Sequence, residues 1–117
     1  MPPVLHTDSA QWCAFEADTL RGYELMPSII GAEYTDAYSV DLVRVAPGGY
    51  SASHIDKARH AFFILEGEAC ITIGDEVHHV RPGSVVKILP GVPHEVRNES
   101  ASTLVLLAIY DPPRSRK

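Results

Sequence analysis

Short runs of β-branched and aromatic residues, separated by glycine- and proline-containing breaks, repeat along most of this chain. From 37 to 46 the sequence reads AYSVDLVRVA, a strand pattern closed by the Pro47-Gly48-Gly49 turn signal. Within it Asp41, Val43 and Val45 share one face and Val40, Leu42 and Arg44 the other. Each face carries one charge, so alternation alone leaves open which looks inward. Further strands are predicted over 50–56, 60–66, 69–73, 77–80, 84–89, 94–98 and 103–110, and Gly74-Asp75-Glu76 reads as a hairpin loop. A shorter strand is expected within 23–31, interrupted at Pro27 and therefore at a sheet edge. Nothing of helical length intervenes. Asp8 and Gln11, at capping-box spacing before Trp12, predict at most a short helical turn over one end of the barrel. Short, evenly spaced strands of this kind build a sandwich or a barrel, an all-β fold.

At 117 residues the chain makes one domain. Its expected parts are an N-terminal extension with an edge strand over 1–36, the all-β sandwich or barrel over 37–110 and a Pro-rich basic tail over 111–117 that frays into solvent. The 104–109 stretch is apolar on both faces, so one face fills the core and the other needs a cover, for which a second subunit is expected. A formal net charge of −5 argues against nucleic acid as a partner. The absence of a long apolar run or a signal-type N-terminus argues against membrane and export, and leaves the cytoplasm as the expected location. Cys13 and Cys70 are too far apart in sequence for a metal-spaced pair and read as free thiols.

The chemistry concentrates between Gly48 and Asn98. His54 and Asp56 stand two apart, on one face of an extended segment; His60 opens the FFIL strand; His94 follows the turn at 90–93. Three imidazoles and a carboxylate at strand ends suit a borderline divalent metal. Phe62 and Ile64 share parity with His60, Val96 with His94, and Tyr50 with His54, which predicts a largely apolar substrate pocket with Tyr50 at its mouth. No residue stands out as a catalytic acid or base. Adjacent His78 and His79 follow a hairpin loop and are read as solvated, and His6 as a surface residue.

The same stretch resembles the cupin family. Its first motif is G, five residues, HxH, three or four residues, E, six residues, G; this chain has Gly48, His54-Ile55-Asp56, His60 and Gly67 at that spacing. Its second motif is G, five residues, PxG, two residues, H, three residues, N; this chain has Gly83, Leu89-Pro90-Gly91, His94 and Asn98. Spacing matches throughout. Residue type departs at Asp56, where the family has its second His, at His60, where it has Glu, and at Leu89, where it has Pro. The two motifs and the segment between them span a little under half the chain.

The resemblance implies a small jelly-roll barrel, frequent dimerisation, and one divalent metal held by His54, His60 and His94 with Asp56 as fourth ligand. Total ligand charge equals that of the family's three-His, one-Glu set. Asp56 is shorter than His, so it either ligates or orients a ligand histidine or bound water. Fe(II) is the first choice of metal, with Mn, Ni, Cu and Zn open to the same donors. The expected activity is a non-haem Fe(II) dioxygenase-type reaction on a small organic substrate. A non-redox metal-dependent lyase or isomerase and a non-catalytic small-molecule-binding cupin are the alternatives. His54-x-Asp56 with His94 also fits a two-histidine, one-carboxylate triad. A 2-oxoglutarate enzyme of that type would need a basic anchor after His94, where only Arg97 and the tail qualify.

Overall fold

The structure, a computed structural model, describes residues 3–114. Among the described residues nine strands follow one another, with only a three-residue 3-10 turn at Thr7–Ser9 before them. They are β1 (Cys13–Ala17), β2 (Leu20–Ile30), β3 (Ser39–His54), β4 (Arg59–Glu66), β5 (Ala69–Ile73), β6 (Glu76–Val80), β7 (Val85–Ile88), β8 (His94–Arg97) and β9 (Leu104–Asp111). Neighbours run β6-β5-β8-β3-β9-β4-β7, and β2 adds to β3 on its far side and carries β1. The curled sheet is a jelly-roll barrel.

β3 joins the two halves of the barrel. Its first part, through Val45, pairs with β9, and its last part, from Tyr50, pairs with β8. Pro47-Gly48-Gly49, expected to end a strand, instead bends one strand of 16 residues. β2 bridges the bend: Arg21 pairs with Tyr50 and Tyr23 with Val45, so Ala46–Gly49 bulges outward. Asn98, buried between strands, donates its amide to the carbonyls of Val45, Ala46 and Ser102, while its carbonyl accepts from Ser100. A backbone pair, Gly48 N to Asn98 O and Asn98 N to Gly49 O, closes the bend. Val45 O, Ala46 O, Gly48 N and Gly49 O at the bulge thereby have partners.

β2 also differs from expectation. It is an 11-residue strand internal to the sheet, between β1 and β3. Pro27 does not end it, because pairing with β3 lapses between Met26 and Ile30, where no proline N–H is needed. Ser28, in that gap, adopts φ 53° and donates its N–H to Asp41 Oδ1. β1 went unforeseen in the N-terminal segment. The 3-10 turn is capped by the His6 ring accepting from Asp8 N, with no capping box from Gln11.

Inward-facing alternation decides the core. Val43 and Val45 from β3, Phe62 and Ile64 from β4, Ile71, Val96 and the β9 row Leu104, Leu106, Ala108, Tyr110 form one cluster. Asp41 shares that face and is fully buried. The opposite β9 face, with Val105 and Leu107, borders an outer groove with Trp12, Ile29, Leu42 and Arg44. The tail is not free along its whole length: β9 runs to Asp111, and the Arg114 backbone N–H donates to Ser39 Oγ at 3.0 Å. The remainder of the expected tail, 115–117, lies outside the described residues.

Candidate metal and substrate site

One end of the barrel interior holds a small cavity of about 110 Å³. His54 reaches it from the end of β3, His60 from the start of β4 and His94 from the start of β8. Cross-strand pairing of His54 with His94 brings those rings to 4.3 Å between centroids; His60 lies 5.1 Å from His94 and 6.4 Å from His54. The structure thus gathers the three histidines that spacing singled out.

Their nitrogens are arranged unequally. His54 Nδ1 stands 3.1 Å from Ala52 O and His94 Nδ1 3.0 Å from Val92 O. A carbonyl only accepts, so each Nδ1 is the donor, and in the neutral ring each Nε2 presents a lone pair. His94 Nε2 is buried and without a hydrogen-bond partner. His60 Nε2 is engaged: Asp56 Oδ2 lies 3.1 Å away and an Arg114 terminal nitrogen 3.0 Å away. Arg114 also pairs with Asp56 Oδ2 and lies over the Tyr110 ring, 4.3 Å from its centroid. Tyr110 in turn meets His60 edge-on at 4.7 Å.

The donor set suits a borderline cation: three imidazoles, at least two with Nε2 lone pairs, a nearby carboxylate, and one buried nitrogen lacking a partner. Among the described residues, however, no group of three or more His, Cys, Asp or Glu side chains stands gathered for a metal. His60 and Asp56 are turned to Arg114 instead.

The electrostatics favour neutral imidazoles at His60 and His94. Burial lowers the His60 pKa to about 4, helped by Arg114 and His94 and opposed by Asp56. Burial also lowers His94. Burial alone would raise the Asp56 carboxyl, but the Ala58 N–H, Arg114 and His60 hold it below its ordinary value. Folding therefore excludes a proton that the unfolded His60, near 6.5, would bind. Its contribution to stability is present above that value and is lost as pH falls towards about 4. We predict that the melting temperature of the metal-free protein drops on acidification through this window, and that His60→Asn flattens the drop. An unchanged slope in His60→Asn would contradict it.

The predicted pocket residues divide. Phe62 and Val96 line the cavity. Ile64 faces inward on the same β4 row but lies deeper, fully buried in the core and outside the cavity lining. Tyr50 does not line it: its hydroxyl points to Asp18 O and Arg97 lies over its ring. The reason is a register shift. Ser51 pairs with Val96 and His54 with His94, three steps on β3 against two on β8. An extra residue reverses parity, so Ser51 shares the cavity with His54. His78 and His79 are exposed as expected, although His79 also approaches the Cys70 sulfur.

Several lining residues had escaped sequence reasoning, among them Phe15, Tyr23, Ser51, Tyr110 and Arg114. The β9 alternation could have found Tyr110, two places beyond Ala108. Arg114 had no signal, since it depends on the path of the chain after β9. Tyr23 is only partly buried as a residue, yet its phenol end lies deep among protein atoms. Burial first, then Tyr110, pushes that phenol far above its ordinary range despite a hydrogen bond with Ser51.

This fold is shared with known proteins. A family model described as "Cupin domain" matches residues 41–110, and the chain belongs to the cupin family. An uncharacterized protein of Streptomyces coelicolor is 32% identical over 77 residues, which are 66% of this chain and 72% of that one. The polyketide cyclase RemF from Streptomyces resistomycificus superposes with a TM-score of 0.86 at 19% identity, over 99% of this chain and 83% of its own. A predicted oxalate decarboxylase from Thermotoga maritima superposes with a TM-score of 0.79 at 18% identity, over 93% and 98%. At those identities the two solved structures speak for the fold alone.

Proposed function

We propose that this chain is a metal-dependent cupin enzyme acting on a small, largely apolar organic molecule that carries a carbonyl or hydroxyl oxygen. The observation behind the reading is the buried, unpartnered His94 Nε2 among three clustered imidazoles. A buried polar atom left unpaired is costly, and a bound ligand would supply its partner. A divalent metal held by His54, His60 and His94, with Asp56 as the fourth candidate, would supply Lewis-acid polarisation and, as Fe(II), dioxygen chemistry.

The chain's own residues shape what happens beside it. Phe15, Leu25, Val43, Phe62 and Leu106 give the cavity a mostly apolar wall, so the substrate is small and mostly apolar. Tyr23 and Ser51 place two hydroxyls on that wall. The Tyr23 phenol keeps its proton, so it can donate a hydrogen bond to a substrate oxygen, while its raised pKa makes it a poor acid for full proton transfer. A neutral hydrogen-bond donor on an apolar wall favours non-redox lyase, isomerase or cyclisation chemistry. The imidazole-rich donor set favours the second reading, an Fe(II) dioxygenase.

The test is turnover by protein reloaded with Fe, Mn, Ni, Cu or Zn, against small ketones, keto acids and hydroxylated aromatics, with and without dioxygen. We expect metal-dependent turnover that is equal in both atmospheres and falls about 100-fold in Tyr23→Phe. Strict dependence on dioxygen would transfer the assignment to the dioxygenase. Tight ligand binding with every metal and no turnover would make the protein a binding module.

A further inference from the structure

We propose that Arg114 is a built-in cation in this centre, and that its guanidinium and a divalent metal compete for Asp56 and His60. The proposal rests on the metal reading above and adds a regulatory partner from the same chain.

One terminal nitrogen of Arg114 stands where two acceptors converge, Asp56 Oδ2 and His60 Nε2. Those acceptors lie 3.1 Å apart, and the guanidinium is all donor. Both belong to the four side chains that motif spacing assigns to the metal. The guanidinium therefore already fills the role of a cation for half of that set. Its seat is built from several directions: Ser39 Oγ holds the backbone N–H, and the Tyr110 ring supports the guanidinium face. Arg114 is the one Lys or Arg on the cavity lining among the described residues, and no Asp or Glu lines it there. Asp56, at the rim, is the carboxylate that faces it.

A divalent ion on Asp56 and His60 would face the guanidinium at short range with one carboxylate between them. Like charges so placed repel strongly, so one occupant excludes the other. The Arg114 side chain is 27% accessible, which leaves it a route from the cavity mouth into solvent. Departure frees His60 to turn towards His54 and His94. The C-terminal segment would thus act as a latch that a metal must open.

Co(II) is a suitable probe, because its visible spectrum reports ligation without any substrate. We expect metal-free Arg114→Ala to bind Co(II) at least 10-fold more tightly than wild type at pH 7. In an Asp56→Asn background the gain should shrink to within twofold. Simple removal of a nearby positive charge would leave it intact. Trypsin gives an independent readout, since a guanidinium docked in the cavity cannot enter the protease. Co(II) should accelerate cleavage after Arg114 at least fivefold in wild type and leave His94→Ala unaffected. Equal affinities in wild type and Arg114→Ala, a gain that persists with Asp56→Asn, or metal-induced protection from trypsin would each overturn the latch while leaving the metal centre standing. Absence of Co(II) uptake by both wild type and Arg114→Ala would overturn the latch and the metal reading together.

Discussion

His94→Leu is expected to lower Co(II) or Fe(II) affinity by more than about 100-fold and, in the same protein, to leave thermal stability unchanged or higher. The two outcomes have one cause. His94 is 2% exposed, and its Nε2 has no partner in the metal-free protein. An unsatisfied buried polar atom costs about 1–3 kcal/mol, and leucine removes that cost while filling comparable space. The lost Val92 hydrogen bond offsets part of the gain. A histidine kept for packing would behave the other way, destabilising the fold when replaced and leaving metal uptake alone. Isothermal titration with thermal melts of the metal-free protein separates these cases.

The companion variants rank the remaining donors. His60→Ala should weaken metal binding more than Asp56→Ala, because imidazole reaches farther from the strand and suits a borderline metal. Loss of Asp56 as an orienting partner would cost roughly 10–100-fold. Metal stripped by Asp56→Ala but retained by His60→Ala would replace the three-histidine centre with the triad of His54, Asp56 and His94.

Gly49→Ala should cost about 3 kcal/mol or more in urea unfolding, and Gly48→Ala only about 1 kcal/mol. A Cβ at Gly49 would stand 2.6 Å from Val45 Cγ1, 2.8 Å from Arg21 O and 2.9 Å from Ala46 O. Two of these are backbone oxygens at the bend of β3, so relief requires moving β2 or the bulge. At Gly48 the added carbon meets nothing within 4 Å, and the cost is the left-handed φ of 80° alone. The bend also sets which β3 residues face β8, and hence where His54 points. Gly49→Ala should therefore weaken metal binding without touching a donor. Equal destabilisation by the two variants would show that backbone conformation, not close approach, dictates this segment.

The legibility of the fold varied from strand to strand for identifiable reasons. β5 appeared at its observed limits, and β4, β6, β7, β8 and β9 within a residue or two at either end, because each is a short β-rich run bounded by turn or loop residues. β3 was cut in two at Pro47-Gly48-Gly49, since a bulge bridged by a neighbouring strand and a turn have the same local composition. β2 was placed at an edge because Pro27 lacks a donor, and only the lapse in its ladder shows that no donor was required.

For the site, His54, His60 and His94 were marked by their place at strand ends together with the resemblance of their spacing to the two cupin motifs, and the three do converge at one barrel mouth. Alternation likewise determined that Phe62 and Val96 face them. Tertiary structure decided the rest. A register shift between Ser51 and His54 exchanged Tyr50 for Ser51, because parity counts residues and a bulge adds one that pairing does not. Tyr23 and Arg114 entered the cavity from segments whose local sequence carries no periodic signal for it. Their positions follow from how β2 crosses the bend in β3 and how the chain returns over Tyr110 after β9, and contacts between segments so distant in sequence exist only once the barrel has closed.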